Sequence, residues 1–357
     1  MRIERNIVFW SAALVVFVGL LWLLSPILLP FVLGMAIAYV LDPLARYLSK
    51  RGMSRLVAAL IILGGFVVAL VFLLLLIAPI LSNQFSAFIE NAPAYALRLQ
   101  AFVSDPGHPW IKRIVGDNLV GADKSVGDVL NQVVGYLTGF IASLWTKGQA
   151  LLSIFSLVII TPVVAFYLIC DWDRMILSVD RLVPLPQRDT VRSLGREIDS
   201  TISAYVRGQS GVCLILGSYY AVGLTLAGLS FGLLIGVVSG LISFIPYVGS
   251  LTALVLSLAV ATAQFIPDWS RIVIVAAIVL VGQFLEGNVL SPKLVGHSVG
   301  LHPVWLMFAL FAFGYLFGFV GLLLAVPLAA AAGVLIRFAL RRYFASPLYT
   351  GTRQTGA

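Results

Sequence analysis

Long uncharged apolar runs separated by short charged segments dominate the chain, near residues 7–24, 27–41, 56–81, 149–170, 208–228, 231–266, 271–290 and 303–340. A helix needs roughly 20 apolar residues, at about 1.5 Å each, to cross a hydrocarbon layer. The pattern therefore predicts an all-α polytopic membrane protein with about eight membrane helices. Two runs are too long for one helix. Ile245-Pro246-Tyr247-Val248-Gly249 interrupts the 231–266 run, and Gly318-Phe319-Val320-Gly321 interrupts the 303–340 run. Each predicts a tight hairpin or a pair of discontinuous helices. The halves of the first, Phe231 to Phe244 and Ser250 to Gln264, are short enough to enter and return without a full crossing.

The polar stretches between the runs have patterns of their own. In 82–148, Phe85, Phe88, Ala92, Tyr95, Leu99 and Phe102 recur at alternating three- and four-residue steps, as do Val126, Leu130, Val133, Leu137, Phe140 and Leu144. Such a spacing is a coiled-coil-like seam, and the turn-rich Asp105-Pro-Gly-His-Pro segment lets two helices fold back on one another. The seam, with Leu130 and Leu137 at its centre, either closes a hairpin within one chain or joins subunits of a homo-oligomer. After Pro184-Leu-Pro186, the residues Val191, Leu194, Ile198, Ile202 and Tyr205 form an apolar stripe, with Arg188, Arg192 and Arg196 largely off it. That predicts an amphipathic helix on the membrane surface or against the bundle, its Arg heads free to meet anionic lipid. It is either a static elbow or a moving element that gates a path. The expected parts are membrane helices over 1–81, an extracytoplasmic helical hairpin over 82–148 and a membrane helix over 149–170. A cytoplasmic amphipathic segment over 171–206, a membrane domain with broken helices over 207–343 and a flexible tail over 344–357 follow.

Composition agrees with a membrane protein: 61% of residues are hydrophobic and 11% charged, far from a soluble domain. The net charge of +8 does not point to nucleic acid, because the Lys and Arg lie in loops between apolar runs rather than on one solvated face. It reads as topology. Placing both termini in the cytoplasm puts the clusters Arg46 to Arg55, Arg174 to Arg207 and Arg337 to Arg342 inside, and leaves mainly Arg98, Lys112, Arg113, Lys124, Lys147 and Arg271 outside. The basic then apolar start, Met1 to Leu24, lacks a small-residue cleavage site and reads as a retained anchor. Cys170 and Cys213 sit in apolar segments without ligand spacing, so neither a disulfide nor a metal site is expected.

Candidate chemistry concentrates in 283–305. Glu286, Lys293, His297 and His302 lie beside or inside the hydrocarbon layer, and Glu286 alone among the 15 carboxylates follows a long apolar run with no charge cluster around it. A charge at the centre of a membrane helix costs roughly 2.5–3.5 kcal/mol on insertion scales, so such a group faces protein or water and finds a partner. Either Glu286 pairs with Lys293, seven residues on, or it handles a solute or an ion. Gln283 and Asn288 flank it, and Pro292 with the nearby glycines frees backbone carbonyls that are tolerated at this depth only beside protein or water. Gln209 and Ser210, just after Arg207 and Gly208, are candidates to face the same inner vestibule as Glu286, and Pro246 and Gly249 of the 245–249 break are candidate path residues. Asp42-Pro43 reads as the end of the second span. No nucleophile elbow, zinc-protease motif, P-loop or Cys-x-x-Cys is present. An enzyme is therefore not expected, nor is any cofactor.

The segments Glu286-Gly-Asn-Val-Leu-Ser-Pro-Lys-Leu-Val-Gly, Val299-Gly-Leu-His-Pro-Val-Trp, Ile242-Ser-Phe-Ile-Pro-Tyr-Val-Gly and Gly321-Leu-Leu-Leu-Ala-Val-Pro-Leu resemble the AI-2E transporter family, from the first span to Arg341. The resemblance implies an inner-membrane exporter of a small polar solute, named for the signal autoinducer-2. It also implies similarity to sodium (lithium)/proton antiporters, and a homo-oligomer such as a pentamer. A membrane scaffold, binding a partner through 82–148 and with Glu286 structural, is the reading from another class.

Overall fold

The computed structural model describes residues 19–104, 148–296 and 302–346, together with Val16 and Tyr349. The seam around Leu130 and Leu137 lies outside the described residues, as does His297. Among the described residues all regular structure is helical: α1 Leu29–Lys50, α2 Arg55–Ser104, α3 Gly148–Leu182, α4 Arg188–Leu226, α5 Gly232–Ile242, α6 Val248–Phe265, α7 Trp269–Leu285, a π-helical segment Glu286–Val295, and α8 Pro303–Phe344. Six of the described helical stretches are long and apolar enough to cross a membrane, and Gly232–Ile242 is a shorter apolar helix. Many large apolar side chains on these helices point outward, among them Phe72, Leu75, Leu214 and Phe311. This is the inverse of a soluble surface and suits lipid as the surrounding solvent.

The chain divides into two compact units, one of residues 1–65, 156–208 and 295–357, the other of 66–155 and 209–294. The expected boundaries at 170 and 206 fall inside α3 and α4, which continue to Leu182 and begin at Arg188. A polar helix face can follow an apolar one with no break in the hydrogen-bond ladder, so a change of composition there ends no helix.

In the first unit α1 and α3 approach closely at Gly34, where a Cβ would come within 2.8 Å of Val164 Cβ and 2.9 Å of the Thr161 carbonyl. Pro43 does not end the second span as expected: α1 runs through it to Lys50. Proline removes one i→i−4 donor and leaves the Tyr39 carbonyl without its helical partner. Arg207 supplies the replacement, its Nε donating to that oxygen at 2.8 Å. Asp42 sits in a charge network, paired with Arg46 at 2.7 Å and Arg55 at 3.5 Å, while Arg55 also pairs with Asp173. Arg192 and Arg188 are not free for lipid. Both pair with Asp180, Arg192 through two hydrogen bonds of 2.8 Å, and this tie holds the Asp180 carboxyl below the usual carboxylate range. It clamps the corner between α3 and α4.

Within α8, Gly318 adopts φ 60° and ψ −138°, which breaks the helix and which only glycine adopts without strain. Gly321 then lies against the Phe313 carbonyl and Gly314 against Leu322, so the two halves turn back on each other. The 303–340 run is thus a pair of discontinuous helices, as its length predicts.

Candidate functional site

The second unit is organised around α4, whose residues Val212, Leu216, Tyr220 and Leu224 form a fully buried row at four-residue spacing. On one side α5 runs antiparallel to it. Gly232 faces the backbone of Leu224 and Thr225, Gly236 that of Tyr220 and Ala221, and Gly240 that of Gly217. Small residues every fourth position let two backbones come together where lipid supplies no hydrophobic drive.

On the other side α7 is also antiparallel to α4. Tyr219 donates to the Ile278 carbonyl at 3.0 Å, a Cβ at Gly223 would come within 3.0 Å of Ile278 Cγ2, Gly282 packs on the Tyr220 ring, and a Cβ at Gly211 would lie 3.6 Å from Leu294. The register of these contacts brings Glu286 opposite Cys213. Cys213 is a free thiol.

The break between α5 and α6 closes the arrangement. Tyr247 has φ 68°, and buried Gly249 lies on the backbone and hydroxyl of Ser243. Buried Gln209 donates through Nε2 to the Ser243 carbonyl at 2.5 Å, filling an acceptor that the end of α5 leaves open. From α7, Gln283 reaches the Ser250 carbonyl at 3.5 Å. Three segments distant in sequence therefore converge: Gln209 of α4, the Pro246–Gly249 turn, and Gln283 with the start of the π-helical segment. α5, at 11 residues, is only about 16 Å long, too short to cross a layer about 30 Å thick by itself.

Glu286 opens the π-helical segment and is half-buried. Pro292 and Lys293 follow in the same segment, both exposed. The i→i+5 winding shifts residue 293 off the α-helical face that would have carried it back to Glu286. Among the described residues no salt bridge joins the two, and the Glu286 carboxylate has no hydrogen-bond partner, while its amide donates to the Gln283 and Gly282 carbonyls. Asn288 turns to its own helix, Nδ2 donating to the Phe284 carbonyl at 3.1 Å. At the far end of α7, by contrast, Asp268 accepts from the Ser270 hydroxyl at 2.6 Å and pairs with Arg271 at 3.2 Å. These contacts hold its carboxyl below the ordinary range. Between residues 209 and 294 the acidic residues are Asp268 and Glu286, and only the second lacks such partners.

The other expected residues stand in the first unit. Exposed His302 caps α8, its Nδ1 accepting from the Val304 amide at 3.3 Å ahead of Pro303. Arg196 donates to the Arg192 carbonyl, and Arg207 holds the Tyr39 carbonyl. Tyr39 itself donates to Asp199 at 2.9 Å, and with Asp42, Arg46, Trp172 and Arg207 it lines a small cavity of about 30 Å³. Sequence reasoning missed Tyr220, Ser243 and Ser250. The four-residue glycine spacing on α5 was the readable signal for the first, because it identifies α4 as a buried partner. Ser243 and Ser250 contribute main-chain oxygens, which no side-chain pattern announces.

Among the described residues no three His, Cys, Asp or Glu side chains are placed to hold a metal ion. Residues 12–341 match the family described as AI-2E family transporter. The chain is 30% identical to the "Putative transport protein YrrI" of Bacillus subtilis, over 90% of this chain and 89% of that protein. It is 28% identical to the "Putative permease PerM" of Escherichia coli, over 87% of each, and 24% identical to the "AI-2 transport protein TqsA" of Escherichia coli, over 89% and 86%. The match spans nearly the whole chain, and this multi-pass helical membrane protein belongs to the AI-2E transporter family.

Proposed function

We propose that this protein is a secondary transporter that exports a small polar solute without ATP, along a path lined by Glu286, Gln283, Asn288, Pro292, Lys293, Pro246 and Gly249. The observation that carries the reading is the convergence of the α5–α6 turn, Gln209 and Gln283 beside the half-buried Glu286. Broken helices at membrane depth leave backbone groups that only protein, water or a bound solute can satisfy, and transporters build their sites from such pairs. The printed name of the TqsA relative, an AI-2 transport protein, makes an autoinducer-2-like signal or a related metabolite the first solute class to test. A carboxylate without a cation partner also favours a second reading, in which Glu286 exchanges protons against sodium or lithium.

The protein belongs, on this reading, in a bacterial cytoplasmic membrane as a homo-oligomer such as a pentamer. Both termini and 171–206 are cytoplasmic, and 82–148 lies outside. An untargeted comparison of metabolites and cations inside and outside cells, with and without the protein, tests the function. Accumulation of one polar metabolite inside the cells that lack it supports export, and a difference confined to sodium or lithium supports exchange. Identical profiles under both conditions would refute transport and leave a scaffold role.

A further inference from the structure

Tyr220 is a phenol where a plain ring would satisfy the packing. Its side chain is 0% exposed, its ring lies on the backbone at Gly282, and its hydroxyl has no hydrogen-bond partner among the described residues. The adjacent Tyr219 differs, since its hydroxyl donates to the Ile278 carbonyl. A buried hydroxyl left alone is less stable than the apolar group of the same shape, and the bilayer core supplies no water to relieve it. Such a group persists when something that visits the site uses it.

The neighbourhood limits what that is. α5 and α6 contribute no ionisable side chain, and α7 contributes only Arg271, near its start. From Gln209 onward α4 carries Cys213, Tyr219 and Tyr220. The π-helical segment carries Glu286 and, seven residues further, Lys293. Glu286 stands one helical turn beyond the Gly282 on which the phenol packs, and its carboxylate too has no partner among the described residues. A donor without an acceptor and an acceptor without a donor thus share the α4–α7 interface.

We propose that the Tyr220 hydroxyl is the second hydrogen-bonding group of the Glu286 site, donating to the carboxylate or to the small polar species that the carboxylate holds between α4 and α7. The inference rests on the reading of Glu286 as part of the transport path. Tyr220 is a positioning residue there, and Gly282 is what admits it: a side chain at 282 would occupy the space of the phenol.

Cys213 supplies a native reporter. In the Cys170→Ser background the full-length protein carries one thiol, and its rate of modification by methyl methanethiosulfonate in proteoliposomes is measured from pH 5 to pH 9. A nearby carboxylate modulates formation of the reactive thiolate, so the profile carries an inflection from Glu286 that Glu286→Gln removes. Tyr220→Phe is expected to displace that inflection by about one pH unit, and Gly282→Ala, which crowds the phenol, to displace it as well. An inflection that Tyr220→Phe leaves in place overturns the proposal, and so does a Tyr220→Phe protein that melts at a higher temperature with an unmoved profile, because the hydroxyl was then merely unsatisfied. A Cys213 that the reagent never reaches also overturns it, since a site that takes up a polar species admits water. Tyr220→Phe is nearly isosteric and carries the test alone should Gly282→Ala not fold. The two readings separate cleanly. A displaced inflection with an unchanged cellular metabolite and cation balance in Glu286→Gln refutes the transport role of Glu286 while the hydrogen bond stands, and an altered balance with an unmoved inflection refutes the role of Tyr220 alone.

Discussion

Glu286→Gln keeps the shape of the side chain and two hydrogen-bonding ends but cannot ionise. Because it removes a charge from membrane depth, insertion and assembly survive. If the carboxylate exchanges a proton or holds a cation, solute or cation flux in proteoliposomes loses its dependence on pH, and Glu286→Asp keeps part of it. Pairing with Lys293 makes a different prediction: Glu286→Gln would be damaging alone and rescued by Lys293→Met, since the double change leaves no unpaired charge. The absence of a salt bridge between the two described residues favours the first outcome, with no rescue. Wild-type flux and pH dependence in Glu286→Gln would move the transport role to the carbonyls around Pro292 and the Pro246–Gly249 turn.

Pro43 and Arg207 offer a second test at the same scale. Arg207→Ala removes the side-chain donor from the Tyr39 carbonyl, at a cost of about 1–3 kcal/mol if the oxygen stays dry. Pro43→Ala restores the i→i−4 amide, so Arg207→Ala should destabilise the otherwise wild-type protein and cost far less in combination with Pro43→Ala. Additive losses in thermal denaturation would mean that the arginine acts elsewhere. The charge pattern marks Arg207 as a residue at the inner face, and Pro43 is visible as a helix problem. That one solves the other is not legible, because they lie far apart in the chain, and a helix interrupted by proline looks like a helix ended by it until the substitute donor is seen.

Among the elements, α5 is the one whose chemistry lies wholly in its backbone. Gly236→Leu would drive a side chain into the main chain of Tyr220 and Ala221, so overpacking should cost at least the usual 1–3 kcal/mol or so and separate α5 from α4. Gly195→Ala, at a helical position with nothing within 4 Å of the added carbon, should instead be neutral or stabilising by about 0.4–1 kcal/mol. Equal stability of the two variants in detergent would contradict the α4–α5 packing. Length and breakers announced that the 231–266 and 303–340 runs are broken, since an apolar stretch of that size exceeds one crossing and Pro or Gly marks the fold-back. The direction of α5 along α4, and hence the meeting of Gln209 with Ser243, was not announced, because a row of glycines marks a contact face without saying which way the partner runs along it. The π-helical winding was equally hidden: Pro292 suggested a helix end, whereas a wider turn absorbs it and carries Lys293 off the face of Glu286.

For the molecule as a whole, the distribution of basic residues is what favours the proposed orientation. Arg174, Arg181, Arg188, Arg192 and Arg196 crowd the corner between α3 and α4, and short basic loops stay on the cytoplasmic side of the membrane. The charge network there also favours a solvated location, since Asp180 with Arg188 and Arg192, and Asp42 with Arg46 and Arg55, are pairs that hydrocarbon would penalise heavily. Single cysteines at Ser104 and Ser193, in a background where Cys170 and Cys213 are replaced by serine, read the orientation directly with a membrane-impermeant thiol reagent. In intact cells Ser104→Cys should label and Ser193→Cys should not, while opened cells label both. The reverse pattern would invert the orientation and place the Gln209 end of α4 toward the outside, turning a path that loads from the cytoplasm into one that loads from the opposite face.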